Sequence, residues 1–219
     1  KQATEAQQTL TLEVAEEDKV AEQVKGFIDP AILTTLPSRY RKAIADAAAV
    51  FNFFEKKEGA SLGACFQPLL GPIDHAAEAL MRSRLEADVP TAAADQRNFF
   101  EPDFSKLQKT QAAFMKDKGG LLRKLLVHRA PLMPTGVLLF CLDYATKPDE
   151  GLPGVFTIVR TQFAPLAKSE MPKLLKVYYD FRNNYIAHAK AELTDRAQAR
   201  EALVLWVNTL LALHEAVGR

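Results

Sequence analysis

Strand signals are almost absent from this 219-residue sequence. The best candidate, VFTIVRTQF at 155–163, is β-branched, yet its Val155, Ile158, Val159 and Phe163 recur at helical spacing, so it reads as helix. Cysteine is scarce: Cys65 and Cys141 lie far apart in apolar stretches, which excludes a disulfide framework and predicts buried free thiols in a reducing, cytoplasmic setting. The longest apolar run, VLLFCL at 137–142, is far too short to cross a bilayer, and no signal-peptide pattern is visible, so no membrane partner is expected. A phosphate-binding glycine loop is missing as well, because Gly119-Gly120 is followed by Leu121-Leu122 rather than Lys-Ser/Thr. Metal chemistry finds little to build on. Asp74, His75 and Glu78 cluster, but His-x-x-Glu reverses the order used in di-iron bundles and has no second copy, while His128 and His214 stand alone. No metal and no other cofactor is expected.

What is present is an ordinary globular composition, 48% hydrophobic and 25% charged, in a chain long enough to bury a core. The net charge of +1 hides an uneven distribution. Residues 1–24 carry six acids against Lys1 and Lys19, whereas residues 106–129 carry seven bases against Asp117 alone. An acidic entry and a basic middle suit a protein that meets a polyanion on one face. The sequence begins at Lys1 without a methionine, which leads us to expect a piece of a larger protein.

Elsewhere the hydrophobic period is 3.6, punctuated by Pro and Gly. A polar helix over 1–25 stops at Gly26 and Asp29-Pro30. A second runs over 38–57 with Ser38 as its N-cap and Ile44, Ala48 and Phe51 on its apolar stripe. A longer helix from about Leu62 to Ala87 is expected to kink or restart near Gly71-Pro72. Residues 88–103 read as a loop. Basic helices are expected at 104–117 and, after Gly119-Gly120, at 121–129. PLMPTG at 130–136 breaks the chain, an apolar helix covers 137–145, and 147–154 is a turn-rich connection. Helices at about 155–168, 171–190 and 195–217 complete an all-α pattern, the last burying Leu203, Trp206, Leu210 and Leu213. Short connections favour antiparallel neighbours.

The helix at 171–190 contains YYDFRNNYIAHAK at 178–190. Arg182, Asn183, four residues and then His188, on a penultimate helix followed by an apolar final helix, resembles the signature of the HEPN superfamily. The resemblance implies an antiparallel helical bundle of HEPN type over 59–219, with 1–58 as an N-terminal helical extension or linker arm. The other Arg-Asn pair, Arg97-Asn98, has no histidine at that distance and falls in the expected loop.

On an ideal α-helix a six-residue step rises about 9 Å and leaves the two side chains about 120° apart, so Arg182 and His188 do not form a compact pair within one straight helix. A two-fold dimer presents each of them twice around one cleft. The resemblance implies such a composite site in a homodimer and metal-independent cleavage of RNA, giving 2′,3′-cyclic phosphate and 5′-hydroxyl ends. His188 would take the proton of the attacking 2′-hydroxyl, Arg182 would stabilise phosphoryl charge, and Asn183 would orient substrate or imidazole. Asn184 and Asp180, one and two α-helical turns before His188, are placed to tune its ring. Tyr178, Tyr179 and Tyr185 could stack on bases, and Arg123, Lys124, Arg129 and Lys190 are candidates for the RNA backbone. Lys190 also stands where members modified by a partner nucleotidyltransferase carry tyrosine, so that regulation is not expected. The implied whole is an effector domain of a defence, toxin or RNA-processing protein, with a sensor or ATPase upstream. A non-catalytic dimerisation or nucleotide-binding module of the same family is the alternative.

Overall fold

The computed structural model describes residues 19–130, 133–187 and 191–218. Every regular element among them is helical, the β-branched stretch at 155–163 included, so the chain is all-α. The helices are α1 (Pro30–Thr35), α2 (Ser38–Phe54), α3 (Gln67–Leu85), α4 (Ala93–Phe100), α5 (Lys109–Leu126), α6 (Pro134–Thr146), α7 (Val155–Ala167), α8 (Met171–Phe181) and α9 (Arg196–Val217). Residues 19–24 are also helical; the rest of the polar helix expected over 1–25 lies outside the described residues. The helices sort into two compact units, neither contiguous in sequence. One takes the described residues up to 72 together with those from 181 to 208, the other those from 73 to 180 and from 209 to 218.

In the first unit, Asp29 accepts the Ala31 N–H at 2.8 Å and Pro30 opens α1, a combination of side-chain cap and N1 proline that fixes a six-residue helix. On α2 the row Tyr40, Ala43, Ile44, Ala47, Ala48 and Phe51 is buried. Ser38 is not its cap. Pro37 occupies that position in an extended conformation, Ser38 is already helical, and no side chain caps the turn. Phe27 stacks edge-on against Phe51, with ring centroids 5.3 Å apart, and the Arg200 guanidinium covers Phe27. A 3-10 turn at Gly63–Phe66 then leads into α3.

Of the kink or restart expected at Gly71-Pro72, the restart does not occur, because α3 runs through Pro72. An interior proline costs about 3 kcal/mol. Leu69, Ile73, Leu80 and Met81 are fully buried along this one helix, and each contributes roughly 1.5–3 kcal/mol, so burial on both sides of the proline outweighs it.

The second unit corrects two further expectations. The stretch 88–103 is not all loop, since α4 occupies Ala93–Phe100 with Arg97-Asn98 inside it; only Phe100 of its eight residues is buried, so no apolar period announces it. The basic segment is one helix rather than two, α5 passing uninterrupted through Gly119-Gly120 and ending at Leu126. A Cβ at Gly119 would sit 2.0 Å from the Phe100 carbonyl oxygen. The glycine is therefore a contact requirement between α4 and α5, not a helix stop. Arg82 from α3 closes the far end of α5, donating to the Leu125 and Leu126 carbonyls while its Nε pairs with Glu78 at 2.8 Å. Arg160 pins the connection at 147–154 by donating to the Lys147 and Pro148 carbonyls from above the Tyr144 ring.

The stripe expected on α9 is buried throughout: Leu203, Trp206, Leu210 and Leu213. Both cysteines are free and buried, as their apolar surroundings predict.

Candidate functional site

Phe181 ends α8, and from Arg182 to Ala187 the backbone winds as a π-helix instead of continuing the α-helix expected to 190. The i→i+5 pairing of a π-turn widens the helix locally, a rare arrangement that recurs at functional sites. Nothing in the hydrophobic pattern separates the two windings over six residues.

This segment is held by aromatic packing within the first unit. The Phe181 ring lies 4.9 Å from Phe66 and 6.2 Å from Trp206, and Phe66 and Trp206 are 4.8 Å apart. Tyr185 tilts onto Phe181 at 4.7 Å, and its hydroxyl accepts from Gln198 Nε2 at 3.1 Å. Beneath it, the Gly63 turn lies against the segment. A Cβ there would meet Ile186 Cδ1 at 3.7 Å and the Tyr185 carbonyl at 3.9 Å, ordinary van der Waals distances. The Leu62 N–H donates to the Leu193 carbonyl at 2.8 Å, tying the entry of this turn to the strand of chain beyond the motif. Phe66, Phe181, Trp206 and Gln198 thus support the motif. Phe66 and Trp206 carry the signal of buried aromatics and Phe181 is half-buried, whereas Gln198 carries no such signal.

Within this frame Arg182 and Asn183 are half-buried and Asn184 is exposed. His188 and Lys190 lie outside the described residues. Asp180 belongs to the other unit and is engaged four residues back, its carboxylate 2.5 Å from Lys176 Nζ. The alignment of Asp180 and Asn184 with position 188 presupposed α-helical spacing throughout, and the winding changes at Arg182. Tyr178 is fully buried, so it is a core residue rather than a base-stacking platform. Tyr179 is half-buried beside Gly136, where a Cβ would lie 3.5 Å from its ring. Comparison with protein-family models, with curated proteins and with solved structures returned no match.

The basic candidates sit in the second unit at the end of α5 and just beyond it. Arg123 is half-buried, Lys124 exposed, and Arg129 exposed with Nη2 3.3 Å from Glu86. Among the described residues no group of three or more His, Cys, Asp and Glu converges on a possible metal position. The acidic members of the Asp74 cluster are engaged elsewhere: Asp74 accepts from Thr135 Oγ1 at 3.1 Å, and Glu78 pairs with Arg82. Both cysteines are buried, which disfavours their thiolates. Burial pushes the Cys65 thiol up to about 12, while its Sγ lies 2.8 Å from the Leu62 carbonyl, and burial raises Cys141 as well.

Proposed function

We propose that the chain is a metal-independent endoribonuclease acting as a homodimer. The observation that carries this reading is the order of its parts: a half-buried Arg182 and Asn183 in a π-helical segment, His188 next in sequence, and a buried apolar helix after it. A guanidinium that never deprotonates suits the phosphoryl oxygens of a pentavalent transition state, and an imidazole titrates where proton transfer at neutral pH requires it.

The reaction balances without a metal. The 2′-hydroxyl gives its proton to His188 as its oxygen bonds to the adjacent phosphorus. The bond from phosphorus to the 5′-oxygen breaks, and the leaving oxygen takes a proton from the second copy's histidine in its imidazolium form. Two copies of each residue around one cleft supply both proton-transfer partners, which one copy does not. A role as an effector domain in a defence, toxin or RNA-processing protein, with a sensor or ATPase elsewhere, follows from the same family resemblance.

The test is incubation of the purified chain with single-stranded and structured RNA in EDTA, beside His188→Ala and Arg182→Ala proteins. Cleavage that survives the chelator, disappears in His188→Ala and falls about 10²–10³-fold in Arg182→Ala is the expected result. Equal background in all three overturns the enzyme and leaves the non-catalytic module. Light scattering should give a dimer, and a fully active monomer contradicts the shared cleft.

A further inference from the structure

Helix α5 buries Met115, Gly119, Leu122, Leu125 and Leu126. Flanking that buried stripe, about 100° round the helix, runs a row of bases at seven-residue steps, Lys109, Lys116 and Arg123, and Lys124 follows on the outermost face. A seven-residue step turns the side chain by only about 20° and rises roughly 10 Å, so the row runs nearly straight along the helix. The uninterrupted course through Gly119-Gly120 creates this row, since a break there would turn Arg123 and Lys124 onto another axis.

These four bases differ from most of the charged residues around them. Lys118 is paired with Asp117, Arg82 with Glu78 and Glu86, and Arg129 with Glu86. Among the described residues, Lys109, Lys116, Arg123 and Lys124 are in no ion pair. Lys109, Lys116 and Lys124 are exposed, and the residues between them on that face are small, Ala112, Ala113 and Gly120, so a ligand could approach the helix closely.

We infer that this row binds the phosphodiester backbone of a single-stranded nucleic acid without reading its sequence. Charges spread over four turns do not converge on a point anion, whereas a strand offers a succession of phosphates along its length for them to engage. An anionic membrane fits less well, because membrane-surface helices place large apolar residues beside their bases, and the large apolar residues of α5 face inward. Phe114, the exposed exception, has its ring under the Lys118 ammonium and its edge on Phe140. Arg129, a candidate from sequence, is left out of the row because Glu86 offsets its charge. In the ribonuclease reading, on which only this assignment of a role rests, the row holds the substrate strand. Binding itself needs no cleavage and is measured apart from it.

The experiment is fluorescence anisotropy of a labelled twenty-nucleotide oligouridylate with the full chain carrying His188→Ala, titrated between 50 and 200 mM salt. Four phosphate contacts at about 0.7 counterion each predict a log–log slope near −3, a loss of about fifty-fold over that range. The triple variant Lys116→Ala, Arg123→Ala, Lys124→Ala should bind weakly and lose only about two- to three-fold. A control triple, Lys42→Ala, Lys147→Ala, Lys173→Ala, changes net charge equally but removes lysines already paired to carboxylates, and should keep the parent's slope. Should the row triple fail to fold, Lys116→Ala alone should flatten the slope by about 0.7. Equal effects of the two triples, no binding at 50 mM salt, or binding to phosphatidylserine vesicles without binding to the oligonucleotide each overturn the proposal. Comparable affinity for a labelled oligodeoxythymidylate of the same length supports backbone recognition, and the cleavage assay stands or falls separately.

Discussion

Two adjacent glycines in one helix should respond to the same substitution with opposite signs. In a helix interior, alanine is favoured over glycine by about 0.8–1.0 kcal/mol. Around Gly120 nothing lies within 4 Å of the added methyl, so Gly120→Ala should gain that amount in full, raising Tm by about 2–4 °C. At Gly119 the same methyl would stand 2.0 Å from the Phe100 carbonyl oxygen, 3.1 Å from its carbon and 3.5 Å from Phe156 Cζ. Relief requires more than an ångström of movement by backbone at the end of α4, whose Phe100 side chain is fully buried. Overpacking of that kind costs up to about 3 kcal/mol, which leaves a net loss of about 2 kcal/mol after the propensity gain. The two variants should therefore differ by about 3 kcal/mol. Urea unfolding of both beside the parent checks this, read as midpoints at constant m. A Gly119→Ala midpoint at or above the parent's would refute the α4–α5 contact, and with it the reason given for an unbroken α5.

Arg82→Ala should destabilise by about 2–3 kcal/mol, because removing a side chain only 14% exposed leaves two α5 carbonyls and the Glu78 carboxylate without their donor. Arg82→Lys should recover only part of the loss, since an ammonium lacks the planar fork, and thermal melts of the pair decide it. The thiols give a pH dependence of definite sign. Cys65 is raised from 9.0 to about 12 in the folded chain, so its contribution is complete below pH 9 and is lost as pH rises from there through about 12. The parent's urea midpoint should fall more steeply above pH 9 than that of Cys65→Ala, and parallel slopes would count against the buried neutral thiol.

Helix type was legible wherever a buried row recurs at 3.6 residues: Ile44, Ala48 and Phe51 on α2, and Leu203, Trp206, Leu210 and Leu213 on α9. The errors fall where a local breaker was outvoted by contacts distant in sequence. Pro72 lies between buried residues on both sides, and Gly119 is read as punctuation until the Phe100 carbonyl is seen against it. Helix α4 failed for the converse reason, presenting one buried side chain and so no period at all. At the candidate site the residue types at 182 and 183 were readable, as was the buried final helix. The π-winding and the Tyr185–Gln198 hydrogen bond were not, because neither leaves a compositional trace.

The change of winding bears on which residues of the motif segment share a face. An α-helix pairs i with i+4 and holds 3.6 residues per turn. By the same relation a helix that pairs i with i+5 holds between four and five. A six-residue step then spans between about 1.2 and 1.5 turns, which leaves the two side chains roughly 70–180° apart, against about 120° for the α-helix. Over a six-residue step neither ideal winding returns to the same face, which is the geometric ground for the shared cleft proposed above. The wider turn does shift which positions align. Within Arg182–Ala187, residues five apart come nearer to register than they would in an α-helix, so the first and last positions of the segment approach one face.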